Sequence, residues 1–267
     1  SAPAASPTPV TPTPTPEPLA AKVNGVGIPL AVYQASLAQL QKADADLKKT
    51  ATAADQSKRV LDDLVDQELL AQAAAKDGYH PGQADLDGQL SQIAAKAGGQ
   101  SALQAWEQAN GYTDASLREA LALSLAAAWE RDRIAAAVPA TAEQVHARQI
   151  LVKDQATAQS ILSRVQAGAD FASLALKYDP TAGGDLGWFP RGYLNVPEVE
   201  TAAFGLQPGQ TSAIIQSQFG YHIVQVIERD PQHPLSPDAR LVYQQAALKK
   251  WLADQRSQSQ VTILIPQ

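Results

Sequence analysis

The feature that most restricts the fold of this chain is a glycine-rich run at residues 183–192, which reads Gly-Gly-Asp-Leu-Gly-Trp-Phe-Pro-Arg-Gly. Glycine adopts positive φ angles without a steric penalty, so the run allows sharp turns beside an apolar stretch. A second run at residues 219–224 reads Phe-Gly-Tyr-His-Ile-Val and places one histidine among residues that favour strands. We expect the chemistry of the chain to lie at these two runs.

Composition argues against several classes of function. The 267 residues are 45% hydrophobic, which leaves room for two domains with buried cores. The net charge of -6 argues against a nucleic-acid partner and against electrostatic docking on anionic lipid, because both need an excess of basic residues. The chain has no cysteine, which rules out thiolate metal sites, disulfides and cysteine nucleophiles. We expect neither a metal nor another cofactor.

Residues 1–18 are of low complexity and carry seven prolines and one charged residue, Glu17. Proline fixes φ and removes a backbone donor, so we expect a disordered linker here rather than a helix or a strand. The linker would be either a spacer from a membrane or wall, or a terminus without a role. The chain has no methionine, so we expect that a signal peptide, lipid anchor or membrane helix preceded Ser1.

Residues 19–141 are predicted to form a helical domain. Asn24 and Gly25 suit the type I′ turn of a short hairpin, and apolar residues then recur at helical spacing. We expect Trp106 in the core of this domain. We expect Glu68 at the rim of its apolar stripe, with its stem buried and its carboxylate in water.

The hydrophobic period changes after the Pro-Ala-Thr sequence at residues 139–141. Residues 142–231 have the pattern strand, helix, helix, strand, with Asp170 as the cap of the second helix and the glycine-rich run as a loop. This pattern predicts a compact α+β unit. Pro231 and Pro234 are predicted to lie in a connection that follows it.

Residues 232–267 return to a helical pattern and end in a strand. Ser236 is predicted to cap the last helix, with Pro237 at its first position. Residues 261–265 are too apolar to stand alone, and we expect this strand to pair with the N-terminal hairpin. The helical domain would then be discontinuous and built from both ends of the chain.

Residues 145–229 resemble a parvulin-type peptidyl-prolyl cis/trans isomerase domain. The resemblance rests on the runs at 183–192 and 219–224, on Ala-Arg-Gln-Ile-Leu-Val at 147–152, and on Ala-Ala-Phe-Gly-Leu at 202–206. It implies a small antiparallel sheet with packed helices and an enzyme that isomerises the peptide bond before proline.

The N-terminal region resembles the helical domain of bacterial exported foldases of the SurA/PrsA kind. The matching features are Ala-Lys-Val-Asn-Gly at 21–25, Leu-Asp-Asp-Leu-Val-Asp-Gln-Glu-Leu-Leu at 61–70, and the terminal helix and strand. The implied fold class is α+β, with a helical chaperone-like domain beside a parvulin-like domain.

The resemblance to parvulins also assigns site residues. The residues that match the family's proline pocket and its rim are Leu186, Leu194, Val199 and Phe219. The residues that match its catalytic positions are Asp179, His222 and Gln149. No metal or covalent step is implied, because a dry apolar pocket can favour the twisted amide, which is less polar than the planar one.

Three departures from the family pattern affect this site. Gln149 stands where the family has the first of two facing histidines, and glutamine forms hydrogen bonds but does not titrate. Val199 stands where phenylalanine is usual and covers less of a proline ring. The loop between Tyr178 and Gly183 is several residues shorter than usual.

Two functions from different classes fit these observations. The first is an exported foldase that isomerises X–Pro bonds in secreted or envelope proteins, with chaperone activity from the helical domain. The second is a holdase whose parvulin-like domain binds extended peptide without turnover. In both, the partners are unfolded, proline-containing polypeptides outside the cytoplasm, and a membrane is reached only through an N-terminal anchor. No prediction of the oligomeric state follows.

Overall fold

The structure is a computed structural model that describes residues 17–265, so residues 1–16 of the predicted linker lie outside the described residues. The elements are β1 (Leu19–Val23), β2 (Val26–Pro29), α1 (Leu30–Asp46), α2 (Ala53–Lys76), α3 (Gln83–Ala97), α4 (Gln100–Ala109), α5 (Asp114–Ala136), β3 (Thr141–Val152), α6 (Gln155–Gln166), α7 (Phe171–Tyr178), β4 (Asp185–Pro190), α8 (Pro197–Gly205), β5 (Ile215–Ser217), β6 (Gly220–Pro234), α9 (Pro237–Gln258) and β7 (Val261–Ile263). The strands form two antiparallel sheets, ordered β2-β1-β7 and β4-β3-β6-β5. The predicted α+β class is confirmed. Within the described residues, no helix has the length and apolar character needed to cross a bilayer.

The chain separates into two compact units. The first comprises the residues up to Arg133 together with those from Lys250 onward, and the second comprises Ile134–Lys249. The divisions fall inside α5 and α9. The domain limits set from the sequence, at residues 141 and 231, stay a prediction.

In the first unit, the sheet joins the two ends of the described chain. Asn24 and Gly25 have φ angles of 52° and 88°, the positive values that a type I′ turn needs at both central positions. β7 then pairs antiparallel with β1, with Ala21 opposite Ile263. The side-chain oxygen of Asn24 also accepts a hydrogen bond from the backbone N–H of Gln260 at 2.9 Å. The predicted hairpin and its pairing with the terminal strand are both confirmed.

Two side chains of the first unit lie in environments that differ from the predictions. Trp106 is 40% exposed and stacks on Tyr112, so the prediction that it lies in the core is wrong; α4 buries Leu103 instead. Glu68 is 7% exposed and accepts a hydrogen bond from Gln72 at 2.7 Å, so the prediction of a solvated carboxylate is also wrong. Burial raises the pKa of Glu68, because an apolar environment disfavours the charged form.

The sheet of the second unit has longer central strands than the sequence predicts. β3 begins at Thr141, and β6 continues to Pro234. Pro231 and Pro234 therefore lie in a strand, and the prediction of a connection there is wrong. β5 pairs with β6 only at Gly220–His222, at the start of the strand. The far end of β6, which carries Pro231 and Pro234, is paired in the sheet with β3 alone, so it tolerates residues that have no N–H to donate. The glycine-rich run, expected to be a loop, includes β4, and the unpredicted helix α8 follows it.

The two faces of this sheet are covered by different helices, because successive side chains of a strand point to opposite faces. On one face, Ile150 and Ile223 pack against α6 and α7. On the other face lies what we call the α8-side cluster. Its buried members are Val145, Ala147, Phe189, Val199, Ala203, Phe204, Val224 and Val226, and its half-buried members include Leu186, Tyr193, Leu194, Val196, Leu206 and Ile215.

Candidate functional site

A chain of hydrogen bonds runs across three strands of the second sheet, with His222 at its centre. His222 lies on β6 and is 1% exposed. Its Nδ1 is 2.8 Å from the side-chain oxygen of Gln149 on β3, and its Nε2 is 2.6 Å from the hydroxyl oxygen of Ser217 on β5. A carboxamide oxygen only accepts, so Nδ1 carries the proton and Nε2 accepts from Ser217. The backbone N–H of Phe219 donates to the same hydroxyl at 3.0 Å.

This environment keeps His222 neutral near pH 7. Burial lowers its pKa below the ordinary value of 6.5, and the nearby carboxylate of Glu198 opposes that shift only in part. Both ring nitrogens already have partners within the protein. The arrangement favours a fixed, oriented dipole over a group that exchanges protons with a substrate.

Asp179 holds the glycine-rich segment in place. It follows α7, and its carboxylate accepts hydrogen bonds from the backbone N–H groups of Thr181 at 3.2 Å, Ala182 at 3.1 Å and Gly184 at 3.0 Å. These backbone bonds lower the pKa of Asp179, because they stabilise its charged form. The side chain thus acts as an acceptor for the loop that leads into β4.

Gly184 connects this loop to the strand that carries Gln149. The backbone N–H of Gln149 donates to the carbonyl of Gly184 at 2.8 Å. A Cβ atom at position 184 would lie 1.8 Å from the carbonyl oxygen of Gln149, and φ there is 69°. Only glycine fits this approach. The loop of Asp179 and the chain of His222 therefore meet at Gln149.

The predicted apolar residues divide into a buried and an accessible set. Val199 is 2% exposed and belongs to the interior of the α8-side cluster. Leu186 and Leu194 are half-buried members of that cluster, so they offer the apolar surface that a ligand can reach. Phe219 is 46% exposed at the turn between β5 and β6, where Lys153 donates to its carbonyl at 3.0 Å.

Ser217, which was not among the predicted site residues, completes the hydrogen bonding of His222. Its position next to the short β5–β6 turn carries no distinctive motif, since serine is common beside turns. The three-dimensional pairing of β5 with β6, with Ile215 opposite His222, is what brings the hydroxyl within reach. In the part of the chain that the structure describes, no group of three or more histidine and carboxylate side chains could hold a metal ion.

Two family models match the chain. Residues 139–228 match the PPIC-type PPIASE domain, and residues 10–128 match the SurA-like N-terminal domain. The first match covers β3, β4, β5 and the part of β6 up to residue 228, with the hydrogen-bonded chain of His222. The second covers the hairpin and most of the helices before β3.

Individual relatives match over shorter stretches. Foldase protein PrsA of Geobacillus sp. strain WCH70 is 42% identical over 98 residues, which are 35% of this chain and 35% of the relative. Chaperone SurA of Methylobacillus flagellatus is 35% identical over 144 residues, 46% of this chain and 33% of the relative. The crystal structure of the peptidylprolyl isomerase PrsA from Bacillus cereus is 26% identical, with 79% of this chain and 84% of that chain covered and a TM-score of 0.48.

The match thus spans about a third of the length of these curated relatives. The domain assignment follows from the two family models, which match separate parts of the chain and agree with the elements found there. The chain carries a SurA-like N-terminal domain and a PPIC-type peptidyl-prolyl isomerase domain of the parvulin type.

Proposed function

We propose that this protein is a foldase that catalyses cis/trans isomerisation of X–Pro peptide bonds in secreted or envelope proteins. One observation carries the proposal: the second unit contains both an accessible apolar surface, formed by Leu186 and Leu194, and a buried, neutral histidine, His222. Rotation about a peptide bond must overcome a barrier of about 18–20 kcal/mol. Uncatalysed isomerisation takes tens to hundreds of seconds, slow enough to limit the folding of a client.

In the proposed mechanism, no covalent bond forms or breaks. Leu186 and Leu194 bind the proline ring, and Phe219 covers it from the rim. The amide loses resonance as it twists, and an apolar surface from which water is excluded favours the twisted form over the planar one. Only interactions that are stronger in the twisted state raise the rate.

The polar residues have supporting roles in this mechanism. The hydrogen bonds of His222 with Gln149 and Ser217 fix β3, β5 and β6 relative to one another at the site. Asp179 holds the loop before β4 through three backbone N–H groups. Preorganised groups need no rearrangement when the amide twists, which is why rigid support contributes to rate.

A protease-coupled assay on the full chain tests the proposal. A protease that cleaves only the trans form of a proline tetrapeptide reports the rate at which cis converts to trans. We expect a first-order rate that rises linearly with the concentration of the protein. A rate equal to that in buffer at all protein concentrations would contradict catalysis.

A holdase without turnover is the second candidate, and one observation favours it. The first unit contains a cavity of about 540 Å³ with a largely polar lining, in which Leu69, Ala73 and Trp251 lie beside amide side chains and the charged residues Lys76, Asp77, Glu130 and Arg133. Such a surface suits binding of an unfolded segment through hydrogen bonds to its backbone and a few apolar contacts. Suppression of client aggregation by a protein that is inactive in the protease-coupled assay would support this candidate over the foldase.

We further propose that the protein works outside the cytoplasm on proline-containing, unfolded clients. The N-terminal match to a SurA-like domain and the relatives named foldase and chaperone support this location and these partners. Fractionation of the host cells with an antibody against the chain tests it. Recovery of the protein with the cytosolic markers alone would contradict the proposal.

A further inference from the structure

Glu200 binds a run of three consecutive backbone N–H groups in the second unit. It lies in α8, and its carboxylate accepts hydrogen bonds from Gly192 at 2.6 Å, Tyr193 at 3.0 Å and Leu194 at 3.0 Å. These N–H groups belong to the connection between β4 and α8. One carboxylate therefore fixes the whole turn that carries Leu194.

Three donors on one carboxylate make a strong anchor. Hydrogen bonds to an ionised acceptor are shorter and about twice as strong as neutral ones. The side chain of Leu194 extends from the last of the three bonded residues and packs in the α8-side cluster. Two interactions therefore fix Leu194: the hydrogen bond from its backbone N–H to the Glu200 carboxylate and the apolar contacts of its side chain.

The helix that carries Glu200 is itself held at its other end. Arg229 on β6 donates to the carbonyl of Phe204 at 2.7 Å and to that of Leu206 at 2.8 Å. The guanidinium of Arg191 lies 4.0 Å from the centre of the Phe204 ring. Because α8 is fixed to the central sheet in this way, Glu200 holds the turn against a rigid support.

The turn of Leu194 and the loop before Leu186 are held in the same way, each by one carboxylate that accepts three backbone hydrogen bonds. Asp179 binds three backbone N–H groups of the loop that leads to Leu186, and Glu200 binds three of the turn that ends at Leu194. The two half-buried leucines of the proposed proline site are each placed by a carboxylate.

We propose that Glu200 is a positioning residue that sets the affinity of the site for the proline ring by holding Leu194. The proposal rests on the proposed function. Glu200 touches no substrate; it acts through the backbone of the turn. Leu194 contacts the proline ring, which is the same in the planar and the twisted amide, so loss of Glu200 weakens binding of both forms and the effect falls on KM more than on kcat.

The test compares Glu200→Gln with Glu228→Gln in the full chain. The Gln variant keeps the size of the side chain but turns an amide N–H group toward a backbone donor, so at least one of the three bonds is lost. Glu228 is an exposed residue of β6 for which the described residues show no ion pair or side-chain hydrogen bond. We expect Glu200→Gln to raise KM roughly tenfold with kcat within about twofold of wild type, the signature of lost uniform binding. Glu228→Gln should match wild type.

Amide hydrogen exchange provides a second readout that does not depend on turnover. In wild type, we expect the N–H groups of Gly192, Tyr193 and Leu194 to be protected, and Glu200→Gln to speed their exchange. Free exchange of all three in wild type would overturn the proposal, even if the variant fails to fold. An unchanged KM in a folded Glu200→Gln variant would also overturn it, as would a fall in kcat at unchanged KM.

The failure of the proposed function is distinguishable from the failure of this inference. If wild type shows no turnover, the foldase proposal is wrong, and the Kd for a proline peptide from NMR titration replaces KM. A weaker Kd for Glu200→Gln than for Glu228→Gln then supports the positioning role. Equal Kd values, or no binding by wild type, overturn it.

Discussion

The Nδ1 atom of His222 donates a hydrogen bond of 2.8 Å to the side-chain oxygen of Gln149. The two residues lie on neighbouring strands, and the other ring nitrogen accepts from Ser217. Gln149 thus supplies the acceptor that a buried imidazole N–H needs. Both ring nitrogens of His222 are bonded within the protein, and burial favours the neutral form.

Replacing Gln149 with alanine should leave this buried N–H without a partner. An unsatisfied buried donor costs about 1–3 kcal/mol, and we expect the free energy of unfolding of Gln149→Ala to fall by an amount in that range. Gln216→Ala is the matched control, because Gln216 is an exposed glutamine on β5. Urea denaturation of both variants measures the difference. Equal stability of Gln149→Ala and the control would show that the hydrogen bond is unimportant.

The lowered pKa of His222 predicts a dependence of stability on pH. The unfolded state binds a proton near pH 6.5, whereas the folded state does so only at lower pH. The contribution of His222 to the free energy of unfolding is therefore fully present above about pH 6.5. It falls as the pH drops from there toward the pKa of the folded state. NMR titration of the ring protons gives the folded value directly. A midpoint at or above 6.5 would contradict a histidine held neutral by burial.

Two glycines of the same run should respond differently to alanine. Gly184 and Gly187 have φ of 69° and 65°, but a Cβ atom meets the carbonyl oxygen of Gln149 at 1.8 Å only at position 184. At position 187 nothing lies within 4 Å. Strained backbone alone costs about 1–3 kcal/mol, which is our expectation for Gly187→Ala. Gly184→Ala should lose clearly more, and equal losses in denaturation experiments would refute the close approach.

Glu68→Gln should stabilise the first unit at neutral pH. Burial raises the pKa of this carboxyl, so its folded form binds a proton more readily than its unfolded form and the ionised side chain opposes folding above the folded pKa. Glutamine keeps an acceptor for Gln72 and carries no charge. We expect the gain at pH 7 to disappear near pH 4, where wild type is protonated. The exposed Glu119→Gln variant serves as the control, and a stability gain equal in both would argue against the buried carboxyl.

Local signals in the sequence predict several elements well, because those elements depend on nearby residues. The turn at Asn24 and Gly25 needs only its own φ angles, and Asp170 caps α7 through the N–H three residues on. Ser236 likewise accepts from the N–H of Ala239 at the start of α9. The apolar residues 261–265 predict a strand that needs a partner, and β1 is that partner.

The features that local signals in the sequence do not predict depend on contacts between residues far apart in the chain. Helix α8 is short, and its local signals are Pro197 at the first position and the acidic Glu198 and Glu200 in the first turn. The bond from Ser217 to His222 follows from strand pairing, and the burial of Glu68 follows from packing of the first unit. The positions of the site residues came from the parvulin resemblance, and their roles stay predictions; Val199, assigned to the pocket, is 2% exposed.

The most direct test of the account is NMR exchange spectroscopy on a short Ala-Pro peptide with catalytic amounts of the full chain. This measurement follows cis/trans exchange without a coupled protease and compares wild type with Leu194→Ala and the exposed control Leu241→Ala. We expect wild type and the control to accelerate exchange equally, and Leu194→Ala to lower kcat/KM roughly tenfold through lost apolar contact. Exchange at the uncatalysed rate with wild type, or equal acceleration by all three proteins, would contradict an apolar proline site at Leu194.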